Sequence, residues 1–126
     1  MLAVPSWTVL EMLSGHPIVE CGAGDGTWMN MLKSCGADVI GYDPHPRGPD
    51  VLQGDHRALA GHSDRVLLIV WPPDTEDIGE WIKAWGGSML AICGDFGRFT
   101  APEMTIYAQW PVYGSKGTSQ FVFGQI

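Results

Sequence analysis

The stretch "VECGAGDGTW" places one acid and three glycines at alternate positions, Glu20, Gly22, Gly24 and Gly26, and it is the first place where this chain could do chemistry. A glycine turn that ends a strand and opens a helix bares main-chain N–H groups to a ligand, because no Cβ stands in the way. A tight strand-to-helix turn without any ligand is the plainer use of the same glycines. Glu20 has little reason to lie at a buried strand end unless it is paired. The dinucleotide fingerprint G-x-G-x-x-G is missing, since Thr27 stands where its third glycine belongs, and this sets a nicotinamide-dependent oxidoreductase well back. Further along, Asp43 closes "GYD" and either binds a ligand or starts a turn before Pro44. Asp55 in "GDHR" either faces a ligand or caps a short helix. His56, Asp74 and His45 are the candidates for a general base, and an imidazole has the more suitable pKa near neutrality. The plainer reading of these histidines, and more so of His16 and His62, is a solvated loop side chain. Four scattered histidines without a carboxylate–histidine pattern argue against a metal site. Cys21, Cys35 and Cys93 form an odd set without CxxC spacing, each in an apolar context that suits a reduced core thiol.

The elements that must position these residues follow from periodicity. Ser6 caps a short helix through Leu13, with Gly15 as its stop. Residues 17–22 form a first buried strand; after the glycines, Trp28, Met31, Leu32 and Cys35 recur at helical spacing up to Gly36. "ADVIGYD" is a second strand, the proline-studded "PHPRGP" a loop, and "DVLQGD" holds a short third strand, with a helical turn from His56 to Gly61. The aliphatic run "RVLLIVWPP" has the pattern of a parallel strand covered on both faces. Asp74 or Thr75 should cap the next helix, with Glu76 and Asp77 in its first turn, Ile78, Trp81, Ile82 and Trp85 as its core stripe, and Gly86 as its end. "SMLAICGD" is a fifth strand, and "MTIYAQW" and "QFVFGQI" form a hairpin across "PVYGSKGTS". Alternating strands and helices predict a mostly parallel α/β sheet with a C-terminal antiparallel hairpin and few helices. The ligand crevice of such a sheet lies outside the carboxyl ends of its strands, where every candidate above falls.

A chain of 126 residues has room for a single domain. With 45% hydrophobic and 17% charged residues it is globular rather than disordered, and no apolar run is long enough to span a bilayer. The opening "MLAVPSWTVLEMLSG" lacks the basic start and unbroken apolar core of a secretory signal, so a cytoplasmic location is expected. A net charge of −7 disfavours duplex nucleic acid and anionic membranes as partners.

The acidic-x-G-x-G-x-G spacing resembles the first motif of class I S-adenosylmethionine-dependent methyltransferases. Further matches come in order: Asp43 ending the second strand, Asp55 ending the third, and "WPP" after the fourth. More narrowly, "YDPHP", "GDHR" and "RVLLIVWPP" look like a group of short proteins of this class, and the resemblance covers nearly the whole chain. It implies a Rossmann-like fold over residues 1–126 and a crevice for S-adenosylmethionine or its product S-adenosylhomocysteine. Glu20 would help hold the cofactor's ammonium, the turn of Gly22, Ala23, Gly24 and Gly26 would pass under its methionine part, and Gly24 would leave the room. Asp43, beside Pro44, would accept both ribose hydroxyls; Asp55 and the backbone at His56 would meet the adenine. Trp71 and Pro72 would lie near the reactive end, with Trp7 and Trp28 as apolar walls.

One departure narrows the chemistry. Relatives that methylate exocyclic amines carry Asn, Asp or Ser before Pro-Pro and an aromatic residue after it, whereas this chain has Trp71 and Asp74 there. Clamping of an amine is therefore not supported. The expectation is methyl transfer to a small molecule, with a non-catalytic cofactor-binding module or partner subunit as the alternative. Few helices over apolar strands, with six tryptophans to accommodate, also predict a homodimer.

Overall fold

The computed structural model describes residues 5–112 and 119–126. The chain runs α1 (Trp7–Leu13), β1 (Ile18–Cys21), α2 (Thr27–Ser34), β2 (Val39–Asp43), β3 (Leu52–Gln53), a 3-10 turn (His56–Leu59), β4 (Val66–Val70), α3 (Ile78–Trp85), β5 (Met89–Asp95), β6 (Thr105–Pro111) and β7 (Ser119–Gln125). Seven strands form one sheet in the order β3-β2-β1-β4-β5-β7-β6. The first five are parallel, and β7 lies antiparallel between β5 and β6. This is the expected Rossmann-like α/β fold, mostly parallel with a closing antiparallel hairpin and only three α-helices among the described residues. The expected loop "PVYGSKGTS" falls largely outside those residues. No helix among them is long and apolar enough to cross a membrane.

β1, β4 and all but the ends of β5 are buried on both faces, whereas the short edge strand β3 is exposed, and alternation sorts the buried side chains into two cores. Ile18, Val66, Leu68 and Val70 face α1 and α2, packing with Leu13, Met29 and Leu32. Val19, Leu67 and Ile69 face α3 and the 3-10 turn, packing with Leu59, Trp81 and Trp85. At the amino ends of the strands Arg65 ties β1 to the turn before β2, donating to the carbonyls of Ile18 and Asp38.

Several local expectations shift. Asp77, not Asp74 or Thr75, caps α3 by accepting the Gly79 N–H, because Pro72 and Pro73 carry the chain through an extra turn first. Glu80 is consequently the acid of that helix's first turn. In α2 the deeply buried methionine is Met29; Met31 and Cys35 sit at its half-buried margin. Trp7 is 68% exposed and lines neither chamber of the crevice described below, since the buried face of α1 is Val9, Leu10 and Leu13.

Candidate functional site

The sheet grows from β1 to one side through β2 and to the other through β4, so a crevice opens between their carboxyl ends at the point of reversal. Two adjoining chambers occupy it. The smaller, about 200 Å³, is lined by Glu20, the glycine turn, Trp28, Arg47 and Trp71 among others. The larger, about 350 Å³, takes in Pro44, His45, Asp55, His56, Glu76 and Pro73. Cys21, Gly22, Asp43, Pro73 and Trp81 border both.

Glu20 is the anomaly of the site. Its backbone pairs with β2 on one side and β4 on the other, so the side chain is held 98% out of solvent, and one carboxylate oxygen, Oε1, has no hydrogen-bond partner among the described residues. Burial, and then the nearby charges of Asp25 and Asp43, push its carboxyl up to about 8. An orphaned buried carboxyl of this kind is costly and rarely kept without use.

The glycine turn is braced from below and from the side. The Gly22 and Ala23 N–H groups donate to the Tyr42 carbonyl, and Gly26, at a φ of 85°, opens α2 in the left-handed region. Asp43 spends both oxygens on backbone, accepting from the Gly24 N–H at 2.9 Å and from the His45 N–H at 2.8 Å. It therefore welds the glycine turn to the loop after β2 while still bordering both chambers. The space that Gly24 leaves is taken by Arg47: a Cβ there would stand 2.9 Å from a guanidinium nitrogen. Sequence reasoning passed over Arg47; the signal was a lone cation in the proline loop that follows Asp43.

Trp71, directly after β4, has a φ of 52°, the single non-glycine residue with a positive φ among those described. Its N–H donates to the Cys93 carbonyl at 2.6 Å, and Pro72 follows at once, so the bend turns Trp71 into the smaller chamber. Backbone strain of this kind gathers at functional sites. Asp55 caps the 3-10 turn, accepting from the Arg57 N–H, and also holds the Arg57 guanidinium, which brings its carboxyl down to about 2. Asp55 thus takes up the capping role while lining the larger chamber.

His45 and His56 share that chamber. Asp74 stands apart, exposed and paired with Arg98 at 2.8 Å, and it borders neither chamber. His62 meets the Tyr42 hydroxyl at 3.0 Å and the His16 ring packs on Phe123, so both have structural partners. Burial raises the thiols of Cys21 and Cys93 to about 12, and all three cysteines are unbridged. Among the described residues no group of three His, Cys, Asp or Glu side chains is placed to hold a metal ion.

A third cavity, about 220 Å³, shares Trp28 with the crevice and is otherwise walled by α1, β5 and the terminal hairpin, with Ser6, Thr8, Cys93, Trp110 and Phe121 among its lining. Trp28 and Trp110 each stack on Phe121, at centroid distances of 6.5 Å and 5.9 Å.

No family model matches the sequence, and no curated protein does. Among solved structures the chain is similar to protein 1320 of Thermoplasma acidophilum, at 16% identity and a TM-score of 0.64 over 90% of this chain and 76% of that one. It is also similar to YhhF of Escherichia coli, described as a candidate methyltransferase, at 10% identity and a TM-score of 0.63 over 94% of this chain and 81% of that one. At these identities the likeness is one of fold.

Proposed function

We propose that the chain binds S-adenosylmethionine and S-adenosylhomocysteine in the crevice and transfers the methyl group to a small-molecule acceptor. The observation that carries this reading is the orphaned Glu20 carboxyl, buried at the point where the sheet reverses. An amino group is the complement that Glu20 lacks, and the cofactor's methionine part offers one. The residues present therefore fit the group. Glu20 would accept from the ammonium, and Asp43 would accept from the ribose hydroxyls. Asp55 and His56 would face the base, and Trp71 and Pro72 would exclude water from the reactive end.

When bound, S-adenosylmethionine supplies a methyl group made electrophilic by its sulfonium. The chain's own contribution is alignment: a rigid strand end, a braced glycine turn and an apolar wall hold donor and acceptor in one geometry. Should the acceptor need to lose a proton, His45 and His56 are the imidazoles within the crevice. Among the described residues no charged side chain lines the cavity beyond Trp28, which supports a small, uncharged acceptor. It also favours the enzyme over the alternative, a module that binds the cofactor without catalysis. Unbridged cysteines suit the reducing cytoplasm.

Calorimetry with S-adenosylmethionine, S-adenosylhomocysteine and NAD in parallel tests the reading. Binding of the first two and not the third is expected; binding of NAD alone overturns it. Tight cofactor binding without transfer of labelled methyl to any of a broad acceptor panel moves the assignment to the non-catalytic module.

A further inference from the structure

The cavity beside the crevice has aromatic walls because of strand register. Cys93 on β5 pairs with Phe121 on β7, and Phe121 pairs with Trp110 on β6, so the three side chains stand in a row on one face of the sheet. Trp28 reaches the same row from the first turn of α2. The plane of the Phe121 ring lies 16° from that of Trp28 and 24° from that of Trp110. Rings of nearly one orientation thus border a space of about 220 Å³.

Ring packing alone does not account for this space, because protein interiors leave few voids larger than a water molecule. A cavity of about 150 Å³ is enough to take benzene, so this one has room for a substituted or fused ring. Among the described residues its hydroxyl side chains are Ser6 and Thr8, both exposed near the start of α1, and no side chain of its lining is charged. A carboxylate or phosphate placed here would lose water and find no counter-charge. The cavity also abuts the crevice. Trp28 lines both it and the smaller chamber, and the Cys93 carbonyl accepts the N–H of Trp71, which walls that chamber.

We propose that this cavity is the acceptor site and that the acceptor is a planar, uncharged aromatic ring carrying one O–H or N–H, held in the orientation shared by Phe121 and the two indoles. This rests on the reading of the crevice as the S-adenosylmethionine site and adds the substrate class to it. In the transfer, the acceptor's oxygen or nitrogen bonds to the methyl carbon. The carbon–sulfur bond breaks with its electron pair left on sulfur, and the acceptor's proton passes to water. A saturated ring of similar size lacks the flat face that stacks on such walls.

The test is calorimetric, on the whole chain saturated with S-adenosylhomocysteine, so that no turnover occurs. Its probes are 2-naphthol, the saturated decahydro-2-naphthol, the anion 6-hydroxy-2-naphthoate and tetramethylammonium. The wild type is expected to bind 2-naphthol about fivefold or more tightly than each of the others. Trp110→Leu, which keeps apolar bulk but removes the ring, should weaken 2-naphthol by about three- to tenfold and decahydro-2-naphthol by less than about twofold, while Trp110→Phe keeps most of the affinity. Trp110 borders neither chamber of the crevice, so S-adenosylhomocysteine binding reports whether each variant is folded. If the wild type binds S-adenosylhomocysteine but not 2-naphthol, the inference is overturned and the proposed function stands. Equal binding of 2-naphthol and either its saturated or its anionic companion overturns the substrate class without recourse to any variant. Tighter binding of tetramethylammonium would make the rings a cation cage and likewise overturn it. Unchanged 2-naphthol affinity in a folded Trp110→Leu protein puts the probe elsewhere and overturns the site. If the wild type binds no S-adenosylhomocysteine, the proposed function fails and the acceptor role of this cavity fails with it.

Discussion

Replacing Glu20 by Gln should make the ligand-free protein less sensitive to alkali and at the same time spoil ligand binding. The carboxyl is held at about 8 in the fold, against an ordinary value of 4.5. Between those values the folded chain carries a proton that the unfolded chain has released. Stability must then fall as pH rises, by at most about 1.4 kcal/mol per pH unit for one proton. From about pH 5 to about pH 8 this one group should remove about 3 kcal/mol from the native state, a large part of the stability of a small domain. Glutamine keeps the volume and removes the titration. Urea unfolding followed by tryptophan fluorescence over this pH range measures the effect, with both proteins compared at each pH. The histidines are common to the two and cancel in the difference. The thiols of Cys21 and Cys93, raised to about 12, do not titrate in this range. The gap between variant and wild type should widen steadily toward high pH, while S-adenosylhomocysteine affinity drops in the variant. Parallel stability profiles would refute the reasoning, because they would mean that Glu20 reaches solvent or a partner in the folded chain.

Gly48→Ala should undock the loop after β2 from the glycine turn, since its Cβ would meet the Asp25 backbone carbonyl; a loss of about 1–3 kcal/mol in unfolding free energy, with weakened cofactor binding, is the expected outcome. Asp74→Asn should leave both cofactor affinity and any methyl transfer within about twofold of wild type, because its loss touches only an exposed ion pair with Arg98; a selective collapse of turnover would restore Asp74 as a base. Self-association is tested by sedimentation at micromolar concentration: Ile106 and Tyr107 are half exposed on the edge strand β6, and a homodimer covering them is expected. A monomer under those conditions counts against it.

Much of the architecture was legible because it rests on local chemistry. An all-aliphatic "VLLIV" has few places to go except a strand covered on both faces, and Ser6 can cap only a helix that begins beside it. Gly26 and Gly86 mark turns because their left-handed backbones come at little cost only when the residue is glycine. The boundaries that slipped were those where two caps competed: "PPDTED" offers several acids and a threonine, and only the path of the chain after Pro73 selects Asp77.

The site divides along the same line. Strand and turn signals in the chain are local, and they suffice to set Glu20, Asp43 and the glycines at strand ends, which the carboxyl-end rule then gathers at one rim of the sheet. They do not say what those groups find there. That Glu20 Oε1 lacks a partner among the described residues, that Asp43 braces the glycine turn while bordering both chambers, that Asp74 pairs with Arg98 away from the crevice and that Arg47 lines it are outcomes of contacts between segments far apart in the chain. Charge pairing and burial depend on distance in space, and only the packed sheet, with its order and its docked loop, sets those distances.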